Sequence, residues 1–291
     1  MKNEKMKQKE SLVLNKLLTT LAEIPELHAP GTPIYSLIKS IARNEMEYLF
    51  SKNNDVFNLG HFGELKFPYV SMGSVDSLNL FDIDELILFS FYYKNKEKYT
   101  KCVDIGANIG LHSILLSKSG YQIKAYEPDP THFKILKKNI TLNDCRNLEL
   151  IQAAVSSEEG TQNFIRIIGN TTGSCLEGAK KHFYGDLEKF SVRTVSIKNL
   201  MNWADILKID AEGSEKDILL ATSREDWINT DALVEVGTEE NATAIYEHFK
   251  KLKINMFSQK KNWLVVERIN DMPTHYSEGT LYISSKKNMP W

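Results

Sequence analysis

One stretch limits the fold of this 291-residue chain more than any other: Lys-Cys-Val-Asp-Ile-Gly-Ala-Asn-Ile-Gly-Leu-His-Ser at 101–113. Cys102 to Ile105 is a short, mostly apolar run that reads as a buried strand. Gly106, Asn108 and Gly110 follow at every second position. Leu111, Ile114, Leu115 and Leu116 then take the spacing of a helix packed on a sheet. A strand, a glycine turn and a helix in that order can hold a ligand, because bare backbone permits close approach and the helix start offers free N–H groups. The spacing departs from the dinucleotide fingerprint G-x-G-x-x-G. Asp104, just before the first glycine, would repel a pyrophosphate in the turn. It suits a cationic ligand end, such as the ammonium of an amino acid.

A second acid, Glu127, ends the next apolar run, Ile123-Lys124-Ala125-Tyr126. An acid at the end of the second strand, about 20 residues past the turn, is placed to hold ribose hydroxyls. An amino-acid group at one end and a ribose at the other describe S-adenosylmethionine. Leu148 to Val155 reads as the third strand, and Gln152-Ala153-Ala154 at its end falls where an adenine would rest. The competing reading is an ordinary strand–turn–helix connection with no ligand.

Strands and helices alternate from residue 101 to 253. Asp129-Pro130 starts a helix with Phe133, Leu136, Ile140 and Leu142 on its buried side. Ile206 to Ile209 is the fourth strand and 232–236 the fifth. This alternation implies right-handed crossovers and a parallel sheet, with its ligand at the carboxyl ends of the strands. Asp104, Glu127, Asp210 and Glu235 lie at or near such ends and are expected to converge on one crevice. Trp263 to Val266 and Thr280 to Ser285 read as a closing antiparallel pair. Phe164 to Ile168 and Val192 to Val195 suggest a β insertion, and the polar stretch 169–190 a substrate-side or lid loop.

Residues 1–75 are expected to form a helical extension with a short hairpin, ahead of a main domain over 76–291. Its start, 1–10, is polar and expected to fray. One helix carries Leu14, Leu17, Leu18 and Leu21, and a second carries Ile34, Leu37, Ile38, Ile41 and Leu49. The extension would pack on the domain, cover its site or make a homodimer. A net charge of −2 gives no field that selects nucleic acid. Cys102, Cys145 and Cys175 are widely spaced, which argues against a disulfide framework or zinc site. No run approaches the roughly 18 apolar residues of a membrane span and no signal peptide is evident, so a cytoplasmic protein without membrane insertion is expected.

With these pieces in hand, the chain resembles the FkbM family of S-adenosylmethionine-dependent methyltransferases. The resemblance rests on Val-Asp-Ile-Gly-Ala-Asn-Ile-Gly (103–110), Tyr-Glu-Pro-Asp-Pro (126–130), Ala-Ala-Val-Ser (153–156) and Leu-Lys-Ile-Asp-Ala-Glu-Gly-Ser-Glu (207–215). It does not cover residues 1 to about 75. It implies an α/β, Rossmann-like class I methyltransferase fold, mostly parallel with an antiparallel C-terminal hairpin. It also implies O-methylation of a sugar, glycan or natural-product small molecule. By position, Asp104, Gly106, Asn108 and Gly110 would hold the methionine part, Glu127 the ribose, and Asp210 and Glu212 would face the methyl group and acceptor. Ala153 stands where many methyltransferases carry a polar residue, which leaves adenine to backbone groups or Gln152.

Methyl transfer to a hydroxyl needs a base, and burial beside another acid raises a carboxylate's pKa toward a useful value. Asp210 and Glu212, joined by Glu235, are the candidates. In a rival reading these three acids hold a magnesium ion, and in another Asp210 and Glu212 merely cap the next helix. A nicotinamide-dependent oxidoreductase is disfavoured by the turn, and a non-catalytic cofactor-binding protein of the same fold is the further alternative. Lys180-Lys181 and Lys260-Lys261 read as solvated faces or as anchors for an anionic substrate group.

Overall fold

The computed structural model describes residues 9–291, so most of the expected polar start lies outside the described residues. Its centre is an eight-stranded sheet. In chain order its strands are β1 (Lys101–Ile105), β2 (Gln122–Tyr126), β3 (Leu148–Ile151), β4 (Ile206–Ile209), β5 (Asp231–Glu235), β6 (Asn255–Ser258), β7 (Leu264–Val265) and β8 (Thr280–Ser284). Across the sheet they run β7-β6-β8-β5-β4-β1-β2-β3. Strands β3, β2, β1, β4 and β5 are parallel, and β8, β6 and β7 continue antiparallel. The strand order reverses between β1 and β4, the switch point where an open α/β sheet leaves a crevice.

The sheet is buried on both faces, and its side chains alternate between two cores. Cys102, Ile123, Ala125, Ile206, Leu233 and Tyr282 point to one. Val103, Ile105, Leu207, Ile209, Val234 and Ile283 point to the other. The first core also holds helices α1 (Leu12–Glu23), α2 (Pro33–Leu49), α3 (Ile83–Lys94), α4 (Leu111–Lys118) and α5 (Pro130–Leu142). The second packs under α6 (Glu215–Leu220) and α7 (Glu239–Leu252). Leu14, Leu18, Met46, Phe50 and Phe57 of the N-terminal extension belong to the same cluster as Leu86, Phe89 and Ile114.

The structure departs from the sequence reading in several places. Lys9–Glu10, expected to fray, pair in parallel with Val56–Asn58. Helix α2 buries Tyr35, Ile38, Ala42, Met46 and Leu49 and leaves Ile34, Leu37 and Ile41 exposed, because Ala42 and Met46 complete a stripe that a count of leucines and isoleucines overlooks. The expected third strand splits at Gln152-Ala153. Ala154–Ser156 leaves the main sheet and pairs with Leu187–Ser196, which pairs in turn with Gly160–Ile167 and, beyond it, Cys175–Leu176. This four-stranded insertion contains the expected polar loop. The two C-terminal strands do not pair with each other: β6, unread in the sequence, lies between β7 and β8 and makes the antiparallel hairpin with β7. Among the described residues no helix is long and apolar enough to cross a membrane.

Candidate active site

The turn after β1 sits where β1 and β4 part. Gly106 has φ +75°, and a Cβ there would lie 1.8 Å from the Asp210 carbonyl oxygen. The glycine therefore lets the two strand ends touch. Asn108 follows in the left-handed region at φ 51°, and its Oδ1 is buried with no hydrogen-bond partner. Its N–H donates to Glu127 Oε2 at 2.8 Å, while Glu127 Oε1 accepts the Asp129 N–H at 2.8 Å. Burial pushes the Glu127 carboxyl up to about 8, against the pull of those two N–H donors.

Past β4 the chain turns tightly at 210–214, with Glu212 in the left-handed region at φ 53°. Glu215, buried at the head of α6, holds the turn by accepting the N–H groups of Ala211 (2.8 Å) and Gly213 (3.0 Å). Glu212 is thereby turned to the cleft, where Lys180 Nζ meets its Oε2 at 2.7 Å. Burial and the neighbouring Asp210 raise the Glu212 carboxyl to about 7, although Lys180 opposes them.

Two cavities meet at Asp210. The first, about 620 Å³, is lined by Gly106, Asn108, Glu127, Ala153, Asp210 and Glu212, with Tyr126, Phe164 and Leu176 as apolar wall. The second, about 880 Å³, is lined by Asp84, Glu85, Lys208, Asp210, Glu235 and Thr280. The Glu235 carboxylate has no hydrogen-bond or ion-pair partner among the described residues. Burial, with Asp210, Glu212 and Glu85 nearby, raises its pKa well above the usual carboxylate range.

Of the residues expected at the site, Asp104, Gly110 and Gln152 line neither cavity. Asp104 is fully buried beneath the turn, accepts from Ser113 Oγ and faces Lys208 Nζ at 3.7 Å. Glu235 is separated from the first cavity and belongs to the second. Lys208 was not singled out in the sequence. It is buried between Asp104 and Asp210, 3.3 Å from the latter, and donates to the Gly106 carbonyl at 3.3 Å. Burial alone would lower its pKa, but Asp210 and Asp104 outweigh that and hold it above the ordinary lysine value. A lysine inside the apolar run 206–209 was the available signal. Lys180, read as a solvated face, pairs with Glu212 instead, because the insertion folds back over the cleft.

The first cavity fits S-adenosylmethionine. Its wall carries the carboxyl groups of Glu127, Asp129, Asp210 and Glu212, the last three paired with Arg166, Lys208 and Lys180 behind them, and Asn108 Oδ1 waits there without a donor among the described residues. Such a wall offers hydrogen-bond acceptors to the hydroxyl and ammonium donors of that cofactor. Magnesium finds no support: among the described residues no group of three or more His, Cys, Asp or Glu side chains is arranged to hold a metal ion.

A family profile described as the Methyltransferase FkbM domain matches residues 104–260. Methyltransferase sdnD of Sordaria araneosa is 28% identical over 158 residues, covering 43% of this chain and 61% of that protein. Methyltransferase 1 of Beauveria bassiana (strain ARSEF 2860) is 25% identical over 154 residues, covering 45% and 62%. The chain thus spans about three fifths of the length of these curated relatives. Solved structures similar to it include precorrin-6y C5,15-methyltransferase from Geobacter metallireducens GS-15, at 16% identity over 67% of this chain and 84% of that one, with a TM-score of 0.37. Another is a METTL16 MTase domain, at 12% identity over 69% and 68%, with a TM-score of 0.40.

Proposed function

Because the chain belongs to the FkbM methyltransferase family, we propose that it methylates a hydroxyl of a sugar, glycan or natural-product small molecule, with S-adenosylmethionine as donor. The carrying observation is the cleft at the β1–β4 switch point, where Gly106, Asn108, Glu127, Asp210 and Glu212 line one cavity with Tyr126, Phe164 and Leu176 as apolar wall. When bound, the cofactor supplies an activated methyl group on a positively charged sulfur. Glu127 accepts the ribose hydroxyls, and Asn108 Oδ1 takes a donor from the methionine end. Tyr126, Ala153, Phe164 and Leu176 enclose the adenine in apolar surface.

The acceptor enters by the second cavity and meets the donor at Asp210, the residue common to both. In-line displacement at an activated carbon asks mainly for alignment, which the two abutting cavities supply. The acceptor hydroxyl must also lose its proton. Asp210 and Glu212 are the bases in this reading, and a carboxyl near 7 such as Glu212 is matched to neutral operation. Glu235 takes part as the further acid of the group, on the acceptor side.

Calorimetric titration of the purified chain with S-adenosylmethionine, S-adenosylhomocysteine and NAD tests the reading. Both adenosyl compounds should bind and NAD should not, and Glu127→Ala should weaken both. Binding of NAD alone would overturn the methyltransferase reading in favour of an oxidoreductase. Once an acceptor is found by screening, Asp210→Asn and Glu212→Gln should each lower turnover. Full turnover in both variants would remove them as bases.

A further inference from the structure

Arg166 lines neither cavity, yet it joins two parts of the first. It lies on the inserted strand Gly160–Ile167. Its guanidinium donates through Nε to Asp129 Oδ2 and through Nη2 to Asp129 Oδ1, both at 2.6 Å. Nη1 donates to Glu188, its cross-strand partner, at 2.6 Å, and the group lies 4.8 Å from the centre of the Phe190 ring. A fork held on three sides is fixed in direction, and the paired bonds require arginine geometry rather than a point charge.

Asp129 is almost wholly buried and caps α5 through the N–H groups of Thr131 and His132. Its own N–H donates to Glu127 Oε1. The acid read here as the ribose ligand is thus two residues from the carboxylate that Arg166 grips. On the other side, Phe164 shares a strand face with Arg166 and lines the cleft together with Leu176 of the same inserted sheet. A second tether, His132 Nε2 to Thr171 Oγ1 at 2.9 Å, ties the loop of that sheet to α5. We propose that Arg166 is a positioning residue for cofactor binding, latching the inserted sheet over the adenine end of the cleft and fixing the loop that presents Glu127.

This inference rests on the S-adenosylmethionine reading above. Without Arg166, Asp129 is left as a buried carboxylate with no cation, and the roof loses its attachment. Titration of the full chain with S-adenosylmethionine tests it, on the native protein, Arg166→Ala and Arg166→Lys, with circular dichroism to confirm folding. The alanine variant should bind about tenfold or more weakly, and lysine should restore part of the loss, since it keeps the charge but not the fork. A merely structural ion pair would lower the melting temperature and leave the affinity of the folded protein unchanged. If the native chain binds and the folded variants bind within about twofold of it, the inference fails alone. If Arg166→Ala does not fold, Arg166→Lys decides by the same comparison. If the native chain does not bind, the cofactor reading fails and takes the inference with it.

Discussion

At the scale of single residues, the site is a balance of buried charge. Asp104 and Asp210 are held by one buried lysine, and Glu215 is spent on backbone N–H groups. The sequence made Asp104, Glu127, Asp210 and Glu212 visible, because each ends or follows a strand. It did not reveal that Asp104 faces down to Lys208 rather than out to the cleft, since strand position fixes the end of the sheet but not the partner beneath it. Gly106 was legible for a reason the structure makes concrete. Its φ is +75°, and the Asp210 carbonyl occupies the space of a Cβ. Gly106→Ala should therefore destabilise the chain by about 2 kcal/mol or more, read by urea unfolding, and should weaken S-adenosylmethionine binding. An alanine variant as stable as the native chain would mean that β1 and β4 do not meet this closely.

At the scale of elements, the parallel core β1 to β5 was readable because its runs are apolar and its helices alternate with it. The inserted sheet and β6 were less readable. Asn255–Ser258 has only two apolar residues, and its strand character comes from pairing on both sides. The N-terminal helices were read as an extension, and the structure gives their buried side a defined place. Leu14, Leu18 and Leu21 of α1 lie in the same cluster as α3 and the sheet, and Ser90 Oγ of α3 donates to the Leu18 carbonyl. Leu18 is 1% exposed, so Leu18→Ala should cost about 2–5 kcal/mol by lost transfer energy and an unfilled cavity. Because the cluster is shared, thermal unfolding followed by near- and far-ultraviolet circular dichroism should show one coincident transition, shifted as a whole in the variant. A separate early transition, with the rest unmoved, would make residues 12–75 an independent unit.

At the scale of the whole molecule, a net charge of −2 hides a strong sorting of charge. The carboxyl ends of the strands gather Glu127, Asp210, Glu212 and Glu235, and the first turn of α3 brings Asp84 and Glu85 to the same edge. The first four were foreseeable from strand ends. The last two were not, because nothing in the sequence says where α3 begins relative to the sheet. This sorting has a consequence for pH. Folding raises Glu127 to about 8 and Glu212 to about 7, from an ordinary value of 4.5. The folded chain therefore holds these protons more tightly than the unfolded chain does. Their contribution to stability is full below about pH 4.5 and is lost as pH rises through 7 and 8. Asp271, lowered to about 2, acts oppositely only in acid, and the buried His28, lowered to about 4, does so up to about pH 6.5. The melting temperature of the free protein should thus fall between about pH 6.5 and 8.5. A sulfonium beside these carboxylates, and ribose hydroxyls donating to Glu127, favour the ionised forms. Binding of S-adenosylmethionine near pH 7 should then expel about one proton, and affinity should rise with pH up to about 8.5. Calorimetry in phosphate and in Tris, whose ionisation enthalpies differ, measures that proton directly. Equal heats in both buffers would show that the cofactor does not meet protonated carboxyls, and would separate the charge sorting of the sheet edge from the binding of its ligand.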